Sequence, residues 1–266
     1  MDILTHSLSG AMAATAIAPF CGKPTYRKLL VIESGTVGAV MPDIDAITRW
    51  PGFDATIGRW FDLSRSGRAI YHANLWYSHH NFCHSLASGV LFTLMLAVVF
   101  LLVKKGFASR CGAISGLNSW WGYLIAFFIG FCIHLAGDLP TPGSTWHGIK
   151  LFWPYTVPVG GLGYIWWWNN YDIFLLLLFG CSINLIVIFL NSGLKSRYLK
   201  VAPMLFCAVV IGTAVFQITH RPVRFSDTGG AWSEKESRSL AVQRKIIGDP
   251  LYRTMVKMDR SLPFPF

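Results

Sequence analysis

The chain has 266 residues, of which 53% are hydrophobic and only 14% are charged. Ordinary soluble domains carry about 25% charged residues, so this composition excludes a typical soluble protein and indicates an integral membrane protein. A net charge of +10 would suit a nucleic-acid partner, but the basic residues are concentrated in short connections, as they are in membrane proteins. We therefore expect membrane lipid, and not nucleic acid, as the partner of this chain.

In chain order, the first two candidate membrane segments are weak ones, at 3–20 and 29–41. The second of these is short and carries Glu33, so it could be re-entrant. Four clear segments follow, each close to the roughly 20 apolar residues that cross a hydrocarbon core. These four lie at 86–103, 120–139, 171–190 and 201–218. The sequence thus predicts an all-α bundle of about six membrane helices as residues 1–218, followed by a polar tail, residues 219–266, that contains an amphipathic helix at 233–247.

Basic residues predict the orientation of the bundle. Three short connections are rich in Lys and Arg, whereas the longer connections 42–85 and 140–170 are not, and cytoplasmic connections are the basic ones. A functional site at the ends that carry the longer connections should then face the external, periplasmic side of a bacterial inner membrane. The basic connections contain Lys23, Arg27 and Lys28, then Lys104, Lys105 and Arg110, then Lys195, Arg197 and Lys200.

Acidic residues are rare, with thirteen Asp and Glu in the whole chain, and several lie close to histidines. Each such group falls at an external end of a predicted segment, so four distant parts of the chain are expected to converge on one layer. An ionisable residue inside an apolar helix, such as His134, indicates a functional site unless it is neutral and bonded to a neighbouring helix. The groups are Asp2 with His6, Asp43 with Asp45, His79 and His80 with His84, and His134 with Asp138.

Spacing predicts contacts within these groups. Asp2 and His6, His80 and His84, and His134 and Asp138 are each separated by four residues, which places the members of a pair on one face of a helix. Asp2 could instead be only a helix N-cap. In MPDID (41–45) the proline favours a helix end at Met41, and an extended 43–45 segment would direct both aspartates to one side. Mixed imidazole and carboxylate donors suit zinc, manganese or iron better than calcium or magnesium.

Four ordered motifs resemble one protein family. They are DILTHS (2–7), PDID (42–45), HHNFCHS (79–85) and HLAGDLPTPGSTWHGIKLFWP (134–154). Together they resemble the YdjM-like family of bacterial inner-membrane proteins, described as metal-dependent hydrolases, over about residues 1–155. The resemblance implies a metal site made by His6, Asp43, Asp45, His79, His84, His134 and Asp138.

The third motif departs from the family pattern. His80 replaces an Arg, Asn81 a Gly and Cys83 a Thr, so the family pattern favours His79 with His84, whereas helical spacing favours His80 with His84. His147 lies in a stretch that resembles the family's loop after the aspartate. Secondary candidates for the site are therefore His80, His147 and Asp2.

The expected activity is hydrolysis by a metal-activated water at the external membrane edge. One or two divalent ions, zinc first and manganese or iron otherwise, would be bound by His6, Asp43, His79, His84, His134 and Asp138, with Asp43 or Asp45 in the catalytic step. Location at the membrane edge suggests an amphiphilic substrate such as a lipid or lipid-linked ester or phosphoester. The alternative is a membrane metal-binding protein or transporter without hydrolysis, since buried His and Asp also mark ion pathways.

Overall fold

The structure, a computed structural model, describes residues 1–22, 24–108, 120–166, 170–190, 197–222 and 232–261. Within these ranges the chain folds into helices and loops, and the β-structure consists of two isolated bridges. The predicted all-α membrane bundle is confirmed. The α-helices are α1 (Ile3–Ile17), α2 (Thr25–Val40), α3 (Gly67–His72), α4 (Leu86–Ala108), α5 (Trp121–Asp138), α6 (Tyr171–Leu190), α7 (Arg197–Thr219), α8 (Trp232–Ile247) and α9 (Asp249–Ser261).

Five of the described helical segments are long and apolar enough to cross a membrane. They begin at residues 3, 86, 121, 171 and 200. The remaining candidate, α2, has 16 residues, and at 1.5 Å per residue it is about 24 Å long. This is less than the roughly 30 Å thickness of a hydrocarbon core. The sequence had predicted a second segment too short to cross fully. The helix begins at Thr25, four residues before the predicted start at residue 29.

Glycines allow α1, α2 and α5 to pack backbone against backbone in the middle of the bundle. A Cβ atom on Gly130 of α5 would lie 2.1 Å from the Gly35 carbonyl oxygen of α2, and one on Gly38 would lie 2.0 Å from the Phe127 carbonyl oxygen. Helices in membranes approach closely where such small residues face each other. This packing fixes the relative positions of α1, which carries His6, of α5, which carries His134 and Asp138, and of α2, which leads into the segment with Asp43 and Asp45.

Contacts between helices show that the predicted site residues share one end of the bundle. The start of α1 meets the end of α5, because His6 contacts Asp138, and the end of α2 meets α5, because Ala39 contacts His134. α6 runs parallel to α1, since Cys181 contacts Leu8 and, farther along, Asn184 contacts Thr15. We refer to this end, which also contains the start of α4, as the site end.

The MPDID segment is not extended as the sequence suggested. α2 ends at Val40, close to the predicted Met41, and residues Met41–Arg49 then form a 3₁₀ helix with Pro42 in its first turn, where the missing N–H of proline has no cost. In a 3₁₀ helix the side chains three residues apart are aligned. Asp43 and Asp45 are two apart, so they are not aligned, but both reach His84, at its Nε2 and Nδ1 atoms respectively.

The polar tail forms two helices that pack against the start of α6. The side-chain oxygen of Gln243 in α8 accepts a 2.9 Å hydrogen bond from the backbone N–H of Tyr171, the first residue of α6. The hydroxyl of Tyr171 donates to Asp259 of α9 at 2.6 Å. The amphipathic segment at 233–247 is thus helical, while the division at residue 218 stays a prediction. Lys23, Arg110 and Lys195 lie outside the described residues.

Candidate metal centre

Seven side chains from four separate parts of the chain converge at the site end. One comes from α1, two from the 3₁₀ helix after α2, two from the turn before α4 and two from the last turns of α5. All of them are buried except Asp43, whose side chain is 15% exposed. They are His6, Asp43, Asp45, His79, His84, His134 and Asp138. Residues that the four motifs place far apart in the chain therefore form one cluster.

His134 has a fixed orientation and a fixed tautomer. Its Nδ1 atom lies 2.7 Å from the carbonyl oxygen of Ala39, to which it can only donate. In the neutral ring the Nε2 atom therefore carries a lone pair. That atom lies 3.1 Å from an Asp138 carboxylate oxygen and 3.3 Å from the Nε2 atom of His84. The lone pair on Nε2 of His134 and a lone pair on the Asp138 oxygen repel each other at 3.1 Å unless a proton or a cation lies between the two atoms.

Four donor atoms surround one point in the cluster: Nε2 of His84, Nε2 of His134, Oδ1 of Asp43 and Oδ2 of Asp138. Two of their separations, from His134 to Asp138 and to His84, are given above. The His84 atom lies 3.5 Å from the Asp43 oxygen and 3.6 Å from the Asp138 oxygen. The His134 atom lies 3.7 Å from the Asp43 oxygen. A tetrahedral site with bonds of 2.0–2.1 Å has donor separations of about 3.3–3.4 Å. The five separations around the two histidines are close to this spacing, so these residues could hold a metal ion.

Asp45 connects two of the histidines. Its Oδ1 atom lies 2.7 Å from Nδ1 of His79, and its Oδ2 atom lies 3.2 Å from Nδ1 of His84. A carboxylate behind the second nitrogen of a metal-binding His orients the ring and raises its basicity. Asp45 is thus in the position of an orienting residue for His84, whose other nitrogen faces the four-donor point.

Opposite charges within the cluster determine the protonation of its members. Burial alone would lower the pKa of His84, but Asp45 and Asp43 beside its ring raise that pKa to about 10. Burial alone would raise the pKa values of Asp43 and Asp45, yet the neighbouring histidines hold both well below the usual range. Anionic carboxylates that favour a proton on His84 equally favour a cation at the same place.

His6 reaches the cluster from α1. Its Nε2 atom is 3.1 Å from Oδ1 of Asp138, whose other oxygen faces His134. Its ring stacks on the ring of His134 at a centroid distance of 3.7 Å. The amine of Met1 contacts the same Asp138 oxygen at 2.9 Å. His6 therefore holds both α5 residues in place, and it also forms a three-donor group with Asp43 and His134.

The structure distinguishes the three histidines of the third motif, His79, His80 and His84. His80 adopts a left-handed backbone conformation with φ of 62°, and only residues 82–84 form a short 3₁₀ helix, so His80 and His84 do not share an α-helical face. The Nδ1 atom of His79 lies 2.7 Å from Asp45. His80 is buried beside them, and its Nδ1 atom has no hydrogen-bond partner among the described residues. All three still have donor atoms within 4.8 Å of one another.

Two aromatic residues that the sequence did not indicate cover the histidines. Tyr71 of α3 stacks on His79 with ring centroids 4.4 Å apart, and Trp146 lies 5.1 Å from His79 and 4.7 Å from His80. The loop that carries Trp146 is attached to the cluster, because the Lys150 N–H donates to the His80 carbonyl at 2.9 Å. No periodicity marks either residue, and their contacts arise only from the tertiary fold.

Two secondary candidates lie apart from the donor groups. The Asp2 carboxylate caps α1, accepting hydrogen bonds from the Thr5 N–H at 2.7 Å and the Thr5 hydroxyl at 2.6 Å, which is the alternative that the sequence left open. His147 follows Trp146 with a left-handed backbone and an exposed side chain. Neither residue contributes to a three-donor group within the described part of the chain.

Comparison with known proteins identifies the family. No curated protein and no solved structure matches the chain. A family model described as YdjM inner membrane protein matches residues 1–221. The match includes α1 to α7 and all the residues of the cluster, and the resemblance seen in the four motifs is thereby confirmed. The chain belongs to the YdjM inner membrane protein family.

Proposed function

We propose that this protein is a metal-dependent hydrolase. The observation that carries the proposal is the set of four donor atoms from His84, His134, Asp43 and Asp138, in which each histidine Nε2 atom lies 3.1–3.7 Å from the other three donors. Zinc fits this set, and manganese or iron would accept the same donors. A bound divalent cation would supply a water of lowered pKa and polarise the bond under attack.

His79 and Asp45 supply the proton transfer in this proposal. The Nδ1 atom of His79 donates to Asp45 at 2.7 Å, which leaves the lone pair of the ring on Nε2. An imidazole oriented by a carboxylate in this way is suited to accept a proton from water as a general base. Asp43 has the most exposed side chain of the three aspartates in the cluster. We place the reacting group on the side of Asp43 and His79.

The orientation proposed for the site follows from the two ends of the bundle. Arg27 and Lys28 lie in the first turn of α2, at the end opposite to the site. Because cytoplasmic connections are the basic ones, the site end would face the periplasm. A buried donor set at the edge of an apolar bundle favours a substrate held in the membrane, namely a lipid ester or phosphoester.

The test compares wild type with three variants of the purified protein in detergent after zinc loading. Phosphatidylglycerol and phosphatidylethanolamine in mixed micelles and a soluble nitrophenyl ester are the substrates. We expect wild type and His220→Ala, whose histidine is exposed just after α7, to hold zinc and hydrolyse lipid. His134→Ala should lose both properties. His79→Ala should retain zinc while its turnover falls by roughly 10²–10⁴-fold, as for a lost general base.

Two results would contradict the proposal. Full zinc content in His134→Ala would exclude the donor set of His84, His134, Asp43 and Asp138. Zinc-loaded wild type that hydrolyses none of the esters or phosphoesters would identify a metal-binding protein without hydrolysis. If the protein hydrolysed the soluble ester but neither lipid, the proposal of hydrolase activity would stand and the proposal of a lipid substrate would be excluded.

A further inference from the structure

A groove on the bundle surface lies between α2 and α4. Its volume is about 380 Å³, within the range of small-molecule sites. One wall is the face of α2 that contains Leu30, Val37 and Met41, the other is α4 with Met95 and Val99, and Phe127 of α5 lies between them. Both walls consist of apolar side chains along most of their length. Glu33, Ser34 and the hydroxyl-bearing Tyr123 are the polar residues of the lining, toward the end of the groove away from the site.

The groove has the length of one membrane leaflet. From Leu30 to Met41 the α2 wall extends over eleven helical steps, or about 16 Å. A hydrocarbon core is roughly 30 Å thick, so one leaflet is about half of it. The polar pair at Glu33 and Ser34 therefore lies near the depth at which an acyl chain from the site-end leaflet would terminate.

Both walls of the groove lead to the metal centre. Met41, at the site end of the α2 wall, is two residues before Asp43, and α4 begins two residues after His84. Met41 and Leu86, the first residue of α4, both pack against the buried cluster that contains Phe127. A chain lying in the groove would place its polar end group within reach of the donor set without leaving the membrane.

The size of the groove favours a single hydrocarbon chain over a protein helix. A helix 10–12 Å across and 16 Å long occupies roughly 1,500 Å³. This is about four times the volume of the groove. Val37, Met95 and Val99 are between 42% and 55% exposed, so the groove is open along its side to a lipid that enters from the bilayer.

We infer that this groove binds one acyl chain of a membrane glycerophospholipid and presents its head-group ester or phosphoester to the metal centre. The inference rests on the proposed function for the identity of the reacting end, while chain binding itself requires no metal. Apolar contact along the walls provides affinity, and the polar pair at the far end limits the chain length.

The experiment measures lipid retention and turnover separately. Val37→Trp and Met95→Trp each fill the groove, whereas Leu94→Trp and Val98→Trp add the same bulk to exposed positions of α4 that do not line it. Each purified variant is incubated with phosphatidylglycerol and examined by native mass spectrometry for one retained lipid. Monodispersity and zinc content show whether a variant is folded.

We expect wild type, Leu94→Trp and Val98→Trp to retain one phosphatidylglycerol, and the two groove variants to lose at least tenfold in retention and in lipid turnover. The groove variants should still hydrolyse a short soluble ester. His134→Ala should retain lipid without turnover, which separates failure of the groove from failure of the hydrolase. Equal retention by all tryptophan variants, or no retained lipid in wild type, would overturn the inference.

Discussion

The Nδ1 atom of His134 lies 2.7 Å from the carbonyl oxygen of Ala39, and this contact directs the Nε2 atom toward His84 and Asp138. The acceptor is a backbone atom of the neighbouring helix α2. The imidazole is thus oriented by helix packing, and no second side chain is needed to select its tautomer. A ligand held in this way loses little freedom when a metal binds.

Substitution of His134 should remove the metal. We expect His134→Ala to weaken zinc binding by more than the roughly 10- to 100-fold loss that follows removal of an orienting contact, because a direct donor is lost. The bound zinc is measured by elemental analysis and by competition with a chelator. His220→Ala is the matched control, and equal zinc affinity in the two variants would contradict the role of His134.

Asp45 should behave as an orienting residue and Asp43 as a ligand. In Asp45→Asn the amide keeps the shape of the carboxylate but not its charge, so we expect a loss in zinc affinity of about 10- to 100-fold. Asp43→Asn should lower the zinc affinity further, because the Asp43 carboxylate lies 3.5 Å from Nε2 of His84 and 3.7 Å from Nε2 of His134. Titration with a competing chelator ranks the two variants. The reverse order would make Asp45 the direct ligand.

Close packing at Gly130 should be necessary for stability. A methyl group there would meet the Gly35 carbonyl oxygen at 2.1 Å, and overpacking of this kind costs about 1–3 kcal/mol. We expect Gly130→Ala to lower the thermal midpoint of the purified protein and its zinc affinity together. Gly212→Ala is the control, since a Cβ on Gly212 has nothing within 4 Å. If the Gly130→Ala protein were as stable as the control, α2 and α5 could move apart at this contact without a loss of stability.

The attachment of the tail should depend on Gln243. Its buried side chain accepts a hydrogen bond from the N–H of Tyr171, in the first turn of α6. Gln243→Ala removes this hydrogen bond, and such a bond contributes about 0.5–1.5 kcal/mol to stability. Limited proteolysis should then cleave between α7 and α9 faster than in wild type. Ser237→Ala, on the exposed side of α8, should show the wild-type rate.

The sequence predicted the parts of this protein that depend on local patterns. Apolar segments indicated the membrane helices, and the i, i+4 spacing correctly paired His134 with Asp138, which lie 3.1 Å apart. The 3₁₀ geometry of the segment containing Asp43 could not be read in advance, because Pro42 is compatible with a helix end and with a new helix start. The positions of Tyr71 and Trp146 depend on loops whose paths only the tertiary packing determines.

The dependence of His134 on the Ala39 carbonyl also has a consequence for biogenesis. The donor set requires α1, α2, the turn before α4 and the last turns of α5, so more than half of the chain must be synthesised and inserted before the set is complete. If the set binds an ion as proposed, that ion reaches its final coordination only after α5 has been inserted. Metal content would therefore report completed helix assembly, and a chain with a displaced α5 would be recognisable in a cell membrane by the absence of its ion.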